Sequence, residues 1–135
     1  SNSPVTTGTT ATLSYTVGTH GTVQRTVVYS LYGINSTTPF DTVSATGSAT
    51  VSGSIDYPAN GVLVAVAMPV SVNSGGPTST WTGATEDYDG GGTWRVTSSS
   101  KASLTSQVSQ TISVVATTQY STAGGTLVAA TWSPA

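Results

Sequence analysis

The chain has no cysteine, a single histidine, one methionine, one phenylalanine and only three basic and five acidic side chains. Without cysteine there is no disulfide frame and no thiolate metal site, so stability must come from core packing or association. Charged residues make up 6% of the chain, against about 25% in an average soluble protein. Arg25, Arg95 and Lys101 are the only cations. That excludes a conventional nucleic-acid groove, which needs many phosphate contacts, and a polybasic membrane patch. The longest apolar stretch, Gly61 to Val72, is far short of the about 20 residues of a membrane helix. No apolar spacing of three and four is sustained, so no long helix is expected, and no internal repeat is found. Ser1 to Thr10 lacks the basic start and apolar segment of a signal peptide, and a start without Met reads as processed.

Ser, Thr and Gly fill the gap left by ions. Such a surface is polar through hydroxyls, which cost less to desolvate than charges and can be re-paired. It suits close contact with other protein; equally, it suits an extracellular domain whose strands carry Thr for β-propensity alone. At 135 residues the chain is one domain with room for a real core.

The organising stretch is Gly61 to Val72. With a period of two, Val62, Val64, Val66, Met68, Val70 and Val72 share one face, and Leu63, Ala65, Ala67, Pro69 and Ser71 the other. The spacing predicts a central strand buried on both faces, with something packed close above the small face. Pro69 must loosen the pairing, at a bulge or strand end.

Residues 1–8 form a polar arm with Pro4, and residues 9–135 the folded domain. Thr9 to Val17 alternates as a half-buried strand, and Gly18 to Gly21 is a turn. Val23 to Ile34 is apolar on both faces and reads as a second interior strand. Thr42 to Ile55 alternates, but Gly47 and Gly53 split it into two strands or introduce a bulge. Asp56 to Gly61 is a turn in which Asn60-Gly61 suits positive φ. Thr78 to Thr82 is a short strand carrying Trp81. Gly83 to Gly92 is a flexible acidic loop. Thr93 to Ser99, Val108 to Ala116 and Thr126 to Trp132 complete the set, with Val108, Ile112 and Val114 on one face. About eight strands at this spacing predict an all-β, single-domain antiparallel two-sheet β-sandwich, jelly-roll-like or immunoglobulin-like. Its open edges have few charges to guard them.

Candidate chemistry is sparse. A Ser-His-Asp triad would need His20, which sits in a glycine turn, and no Gly-x-Ser-x-Gly elbow occurs. Glu86, Asp87 and Asp89 cluster hard oxygens that could take Ca²⁺. They match no EF-hand pattern, and the favoured reading is a solvated acidic loop, or one that pairs with Arg95 or Lys101. Asp41 and Asp56 could form a glycosidase pair only if the fold brought them together. Trp81 and Trp94 alternate with Thr and read as core. Trp132, near the C-terminus, is the expected exposed aromatic and interface residue. Asn35-Ser36-Thr37 fits a glycosylation acceptor, one match being close to chance. Phosphate-loop, dinucleotide and zinc spacings are absent, and no catalytic residue is assigned.

Three segments carry a family likeness: Thr26-Val27-Val28-Tyr29-Ser30-Leu31-Tyr32-Gly33, then Tyr57-Pro58-Ala59-Asn60-Gly61-Val62-Leu63-Val64-Ala65, then Thr80-Trp81-Thr82-Gly83 with Glu86-Asp87-Tyr88-Asp89. Together they resemble small virion proteins of tailed bacteriophages, over roughly Val23 to Trp132. The resemblance implies a β-sandwich used as a structural or adhesive part of a virus particle, without catalysis. Such domains serve as head decoration (cement) proteins and as pieces of tail fibres. The chain lacks a heptad or triple-helical stalk, and its compact size with a short arm fits the decoration role better. The expectation is then a homo-oligomer, clustered about a threefold axis on the outer surface of a phage head. It would bind the major capsid protein or other virion proteins through Ser3, Pro4, Val5 and Trp132. The alternative is a tail-fibre or carbohydrate/receptor-binding module.

Overall fold

The computed structural model describes residues 27–48, 50–69, 78–90, 96–117 and 125–135. The arm with Ser3, Pro4 and Val5, the strand expected over Thr9 to Val17, His20 and Trp94 lie outside them. Among the described residues there is no helix, and eight strands form two antiparallel sheets. The strands are β1 (Asp41–Gly47), β2 (Thr50–Tyr57), β3 (Val62–Pro69), β4 (Thr78–Thr82), β5 (Thr85–Asp89), β6 (Thr97–Lys101), β7 (Gln107–Thr117) and β8 (Gly125–Trp132). One sheet has the order β1-β8-β3-β6-β5, the other β2-β7-β4.

The order decides between the two expected architectures. β1 pairs with β8, β2 with β7 and β3 with β6, so these described strands follow one long antiparallel hairpin rolled up until successive pairs fall in alternate sheets. That nesting is jelly-roll connectivity. In an immunoglobulin sandwich the first two strands share a sheet; here the first two strands among the described residues do not. One departure is that β5 pairs with β6 in the larger sheet. The split at Gly47 is where the chain passes from one sheet to the other, and a Cβ there would run into the carbonyl of Thr50.

β3 is central, as expected, but it is fully buried on one face only, the small one. Leu63, Ala65 and Ala67 point into the sandwich and are fully buried, whereas Val62, Val64 and Val66 face outward half-buried and Met68 is exposed. The reason is interdigitation: two alanines on the central strand leave room for Ile55, Tyr57, Trp81, Ile112 and Val114 from the opposite sheet. Val70 and Val72 lie outside the described residues.

Three further expectations need correction. Residues 27–34 belong to no strand, Ile34 making only an isolated bridge to Pro134, and Val28 and Tyr32 are 71% and 89% exposed. The acidic stretch is an edge strand, β5, rather than a flexible loop. Finally, Val108 is 76% exposed although Ile112 and Val114 are buried. Between the pairs Ile55–Gln110 and Tyr57–Gln107, β7 advances by one residue more than β2. This bulge turns over the facing of everything before it. Ser109 sits there at φ 53, its N–H donating to Asp56 Oδ1 at 2.8 Å.

In the β2–β3 turn Asn60 takes the positive φ, at 56°, while Gly61 is required by space: a Cβ would meet the carbonyl of Trp132.

Candidate interaction surface

The few ionisable groups hold the sandwich together at its margins. Asp41 Oδ2, on edge strand β1, accepts the N–H of Asp56 on β2 at 2.7 Å. Asp89 Oδ2, on edge strand β5, accepts the N–H of Ser79 on β4 at 2.9 Å. The two bonds run from one sheet to the other on opposite sides of the sandwich, each engaging an edge strand of the smaller sheet. Asp56 in turn accepts from Ser109. The pair Asp41 and Asp56 does come together, but as backbone acceptors.

Asp87 faces a different way. Tyr29 Oη donates to its Oδ2 at 2.7 Å. Glu86, Asp87 and Asp89 are thus spread over a strand with a bulge between Glu86 and Tyr88, and no group of metal-binding side chains forms among the described residues. Three carboxylates on one edge strand also supply the guard that open edges need, since charge there blocks pairing with another chain. Lys101, at the end of β6, lies 5.6 Å from the ring centre of Tyr57.

Among the described residues, Tyr29 is the titratable group with a large shift. Burial pushes its phenol from 10.0 to about 12, with Ser98 beside it pulling the other way and the Asp87 carboxylate adding to the rise. Because the folded value lies above the unfolded one, the stabilisation is complete below pH 10.0 and is lost as pH climbs towards about 12. Titration by phenolate absorbance should therefore show a phenol ionising near pH 12 that disappears in Tyr29→Phe. If the phenol missing from that variant titrates near the ordinary 10.0, the packing of Tyr29 is not as described. Burial also raises Tyr57, whose hydroxyl donates to the carbonyl of Gly83 at 3.2 Å.

Among the described residues the charges sit at strand ends and on β5, and the central rows of the smaller sheet carry none. The outer face of β2-β7-β4 is built from Thr50, Ser52 and Ser54 on β2, Thr111, Ser113 and Val115 on β7, and Thr78, Thr80 and Thr82 on β4. The inward residues between them, Val51, Ile55, Ile112, Val114, Ser79 and Trp81, are buried. Register aligns them in rows, Thr50–Val115–Thr80 and Ser52–Ser113–Thr82. Neighbours lie about 4.8 Å apart across strands and about 6.7 Å apart along them. Every position in these rows except Val115 offers a hydroxyl, and none of the nine can ionise; Asp56, next after Ser54 on the same side of β2, and the exposed Val108 lie at their bulged margin.

Trp132, the expected exposed aromatic, is half-buried, paired with Val62 on the outer face of the larger sheet. The exposed aromatics among the described residues are Tyr32, Phe40 and Tyr88. Trp81 is core, as expected. Asn35 is exposed beside Ser133, whose carbonyl accepts its N–H at 3.2 Å.

No family model matches the chain, and neither the curated proteins nor the solved structures yield a match. The likeness to phage virion proteins gains no support from these comparisons.

Proposed function

We propose that this protein is a non-enzymatic structural subunit of a virus particle, a decoration protein on the outer surface of a phage head. It docks on the major capsid protein through the hydroxyl face of its three-stranded sheet. The observation that carries this reading is that face itself: eight hydroxyl side chains and one valine in register, with no ion within the rows and Asp56 only at their margin. Burying such a face strips water from groups that a neighbour's hydroxyls and amides can replace, whereas buried charge would demand specific partners. The complementary surface must be uncharged as well, since any carboxylate or ammonium opposite it would be desolvated without a counter-ion. Jelly rolls recur in viral capsid and lectin domains; fold alone does not assign function, so the weight rests on the face.

In this mechanism the subunit spans neighbouring shell proteins and adds binding free energy that opposes internal pressure. Copies cluster as a homo-oligomer around a symmetry axis of the shell. Mixing the purified protein with undecorated shells and sedimenting them tests the proposal. At roughly micromolar concentration, where association is worth about 8 kcal/mol, the protein should pellet with the shells. Protein left wholly in the supernatant counts against it. A second reading, carbohydrate recognition, draws on the exposed rings of Tyr32 and Tyr88; specific binding in a glycan screen would favour it.

A further inference from the structure

The segment 27–32 crosses the larger sheet without joining it. At one end, Gly33 and Asn35 are bonded to the C-terminal residues just past β8: Ala135 N–H to the Gly33 carbonyl at 2.7 Å, Asn35 N–H to the Ser133 carbonyl at 3.2 Å. At the other end, the Tyr29 side chain reaches Asp87 on β5. In the sheet order β3 and β6 lie between β8 and β5. The sheet's inner face is filled by core, so the segment passes over the outer face.

Two patterns agree. Val27, Tyr29 and Leu31 are half-buried, while Val28, Ser30 and Tyr32 are exposed, as in an extended chain lying on a surface. Beneath, Ser98 points outward, since its neighbour Thr97 points inward to accept from Trp81 Nε1. Ser98 is nevertheless only 1% exposed, and Tyr29 lies beside it. Among the described residues no backbone hydrogen bond ties 27–32 to the sheet; backbone bonding begins at Gly33.

We propose that residues 27–32 form a strap that opens while the sandwich stays folded, with the Tyr29–Asp87 hydrogen bond as its latch. The closed strap shields the half-buried stripe Val62, Val64 and Val66, next to the exposed Met68 and Val128. Opening bares this apolar stripe on the face opposite the hydroxyl rows. Segments held by side-chain contact and lacking a backbone ladder open at far lower free energy than the core. The strap does not depend on the proposed docking role and can be tested on the free protein.

Adjacent serines on β6 make the test. The protein has no cysteine, so Ser98→Cys places one thiol under the strap and Ser99→Cys places one inside the sandwich, both at fully buried positions. Thr46→Cys on β1 gives an exposed reference. In the otherwise native chain, a soluble thiol reagent should label Ser98→Cys more slowly than Thr46→Cys and faster than Ser99→Cys. Adding Tyr29→Phe should speed labelling of Ser98→Cys by roughly fivefold, the worth of one net hydrogen bond, and leave Ser99→Cys unchanged. Asp87→Ala should do the same, and the two together should do no more than either alone. Equal acceleration at Ser98→Cys and Ser99→Cys would mean that the whole sandwich loosens, and overturns the strap. So does a Ser98→Cys rate that ignores both latch variants, or one that already equals the exposed reference.

Discussion

Replacing Trp81 with alanine is expected to remove about 3–5 kcal/mol of stability, a large share of the about 5–15 kcal/mol that holds a typical domain folded. Trp81 projects inward from β4, and its Nε1 donates to Thr97 Oγ1 on β6 at 2.8 Å. The side chain therefore fills the space between the sheets and also spans it with a buried bond. Thr97 is fully buried, so its hydroxyl has no water to turn to. Trp81→Phe separates the two contributions: it keeps most of the apolar area and drops the donor, and should cost about 1–3 kcal/mol. Urea unfolding of both variants reads the difference as a shift in midpoint at constant slope. Equal losses for the two variants would mean that the hydrogen bond, not the volume, dominates. A loss below about 1 kcal/mol for Trp81→Ala would contradict the packing outright.

Lysine at Val115 should leave the fold intact and abolish docking. Val115 is exposed at the middle of the Thr50–Val115–Thr80 row, on the central strand of its sheet. A charge there meets water in the free protein, so stability should change by no more than about 0.5 kcal/mol. In a complex it would lie against an uncharged surface, and an unpaired buried ion costs several kcal/mol even after relaxation. At about 1.4 kcal/mol per factor of ten, shell affinity should fall by about a hundredfold or more. Thr46→Lys, exposed on β1 of the other sheet, is the matched control and should bind as the parent does. The same loss from both variants would mean that net charge, not the hydroxyl face, governs binding.

Much of this fold is legible along the chain because alternation survives wherever a strand has one wet face. The two strands around Gly47, the strand carrying Trp81 and the last strand all follow from Ser and Thr alternating with larger apolar groups. Alternation does not say what a segment pairs with. Residues 27–32 have a strand's period and β-branched composition, yet lie across the sheet as a strap. Nor does it survive a bulge: the extra residue at Ser109 exposes Val108 although its spacing from Ile112 is even.

The acidic stretch 85–89 misleads for another reason. Asp and Glu are rare in strands because few strands have a margin to place them on, and an edge strand is that margin. Which face of β3 is inner could not be read either, since it depends on the opposite sheet's bulk. The hydroxyl face was half legible. Each strand shows its own Ser and Thr positions, but only the pairing of β2, β7 and β4 brings them into common rows.

Salt dependence of shell binding probes the uncharged contact most directly. Ion pairs between exposed groups weaken as the screening length falls from about 10 Å at 0.1 M to about 3 Å at 1 M salt, whereas contact between hydroxyl faces has no charge to screen. Binding isotherms over that range should superimpose, with Kd constant within about twofold. An affinity that falls tenfold or more with added salt, on the order seen for charge-steered complexes, would place the contact on the carboxylates of β5 and contradict docking through the ion-free face.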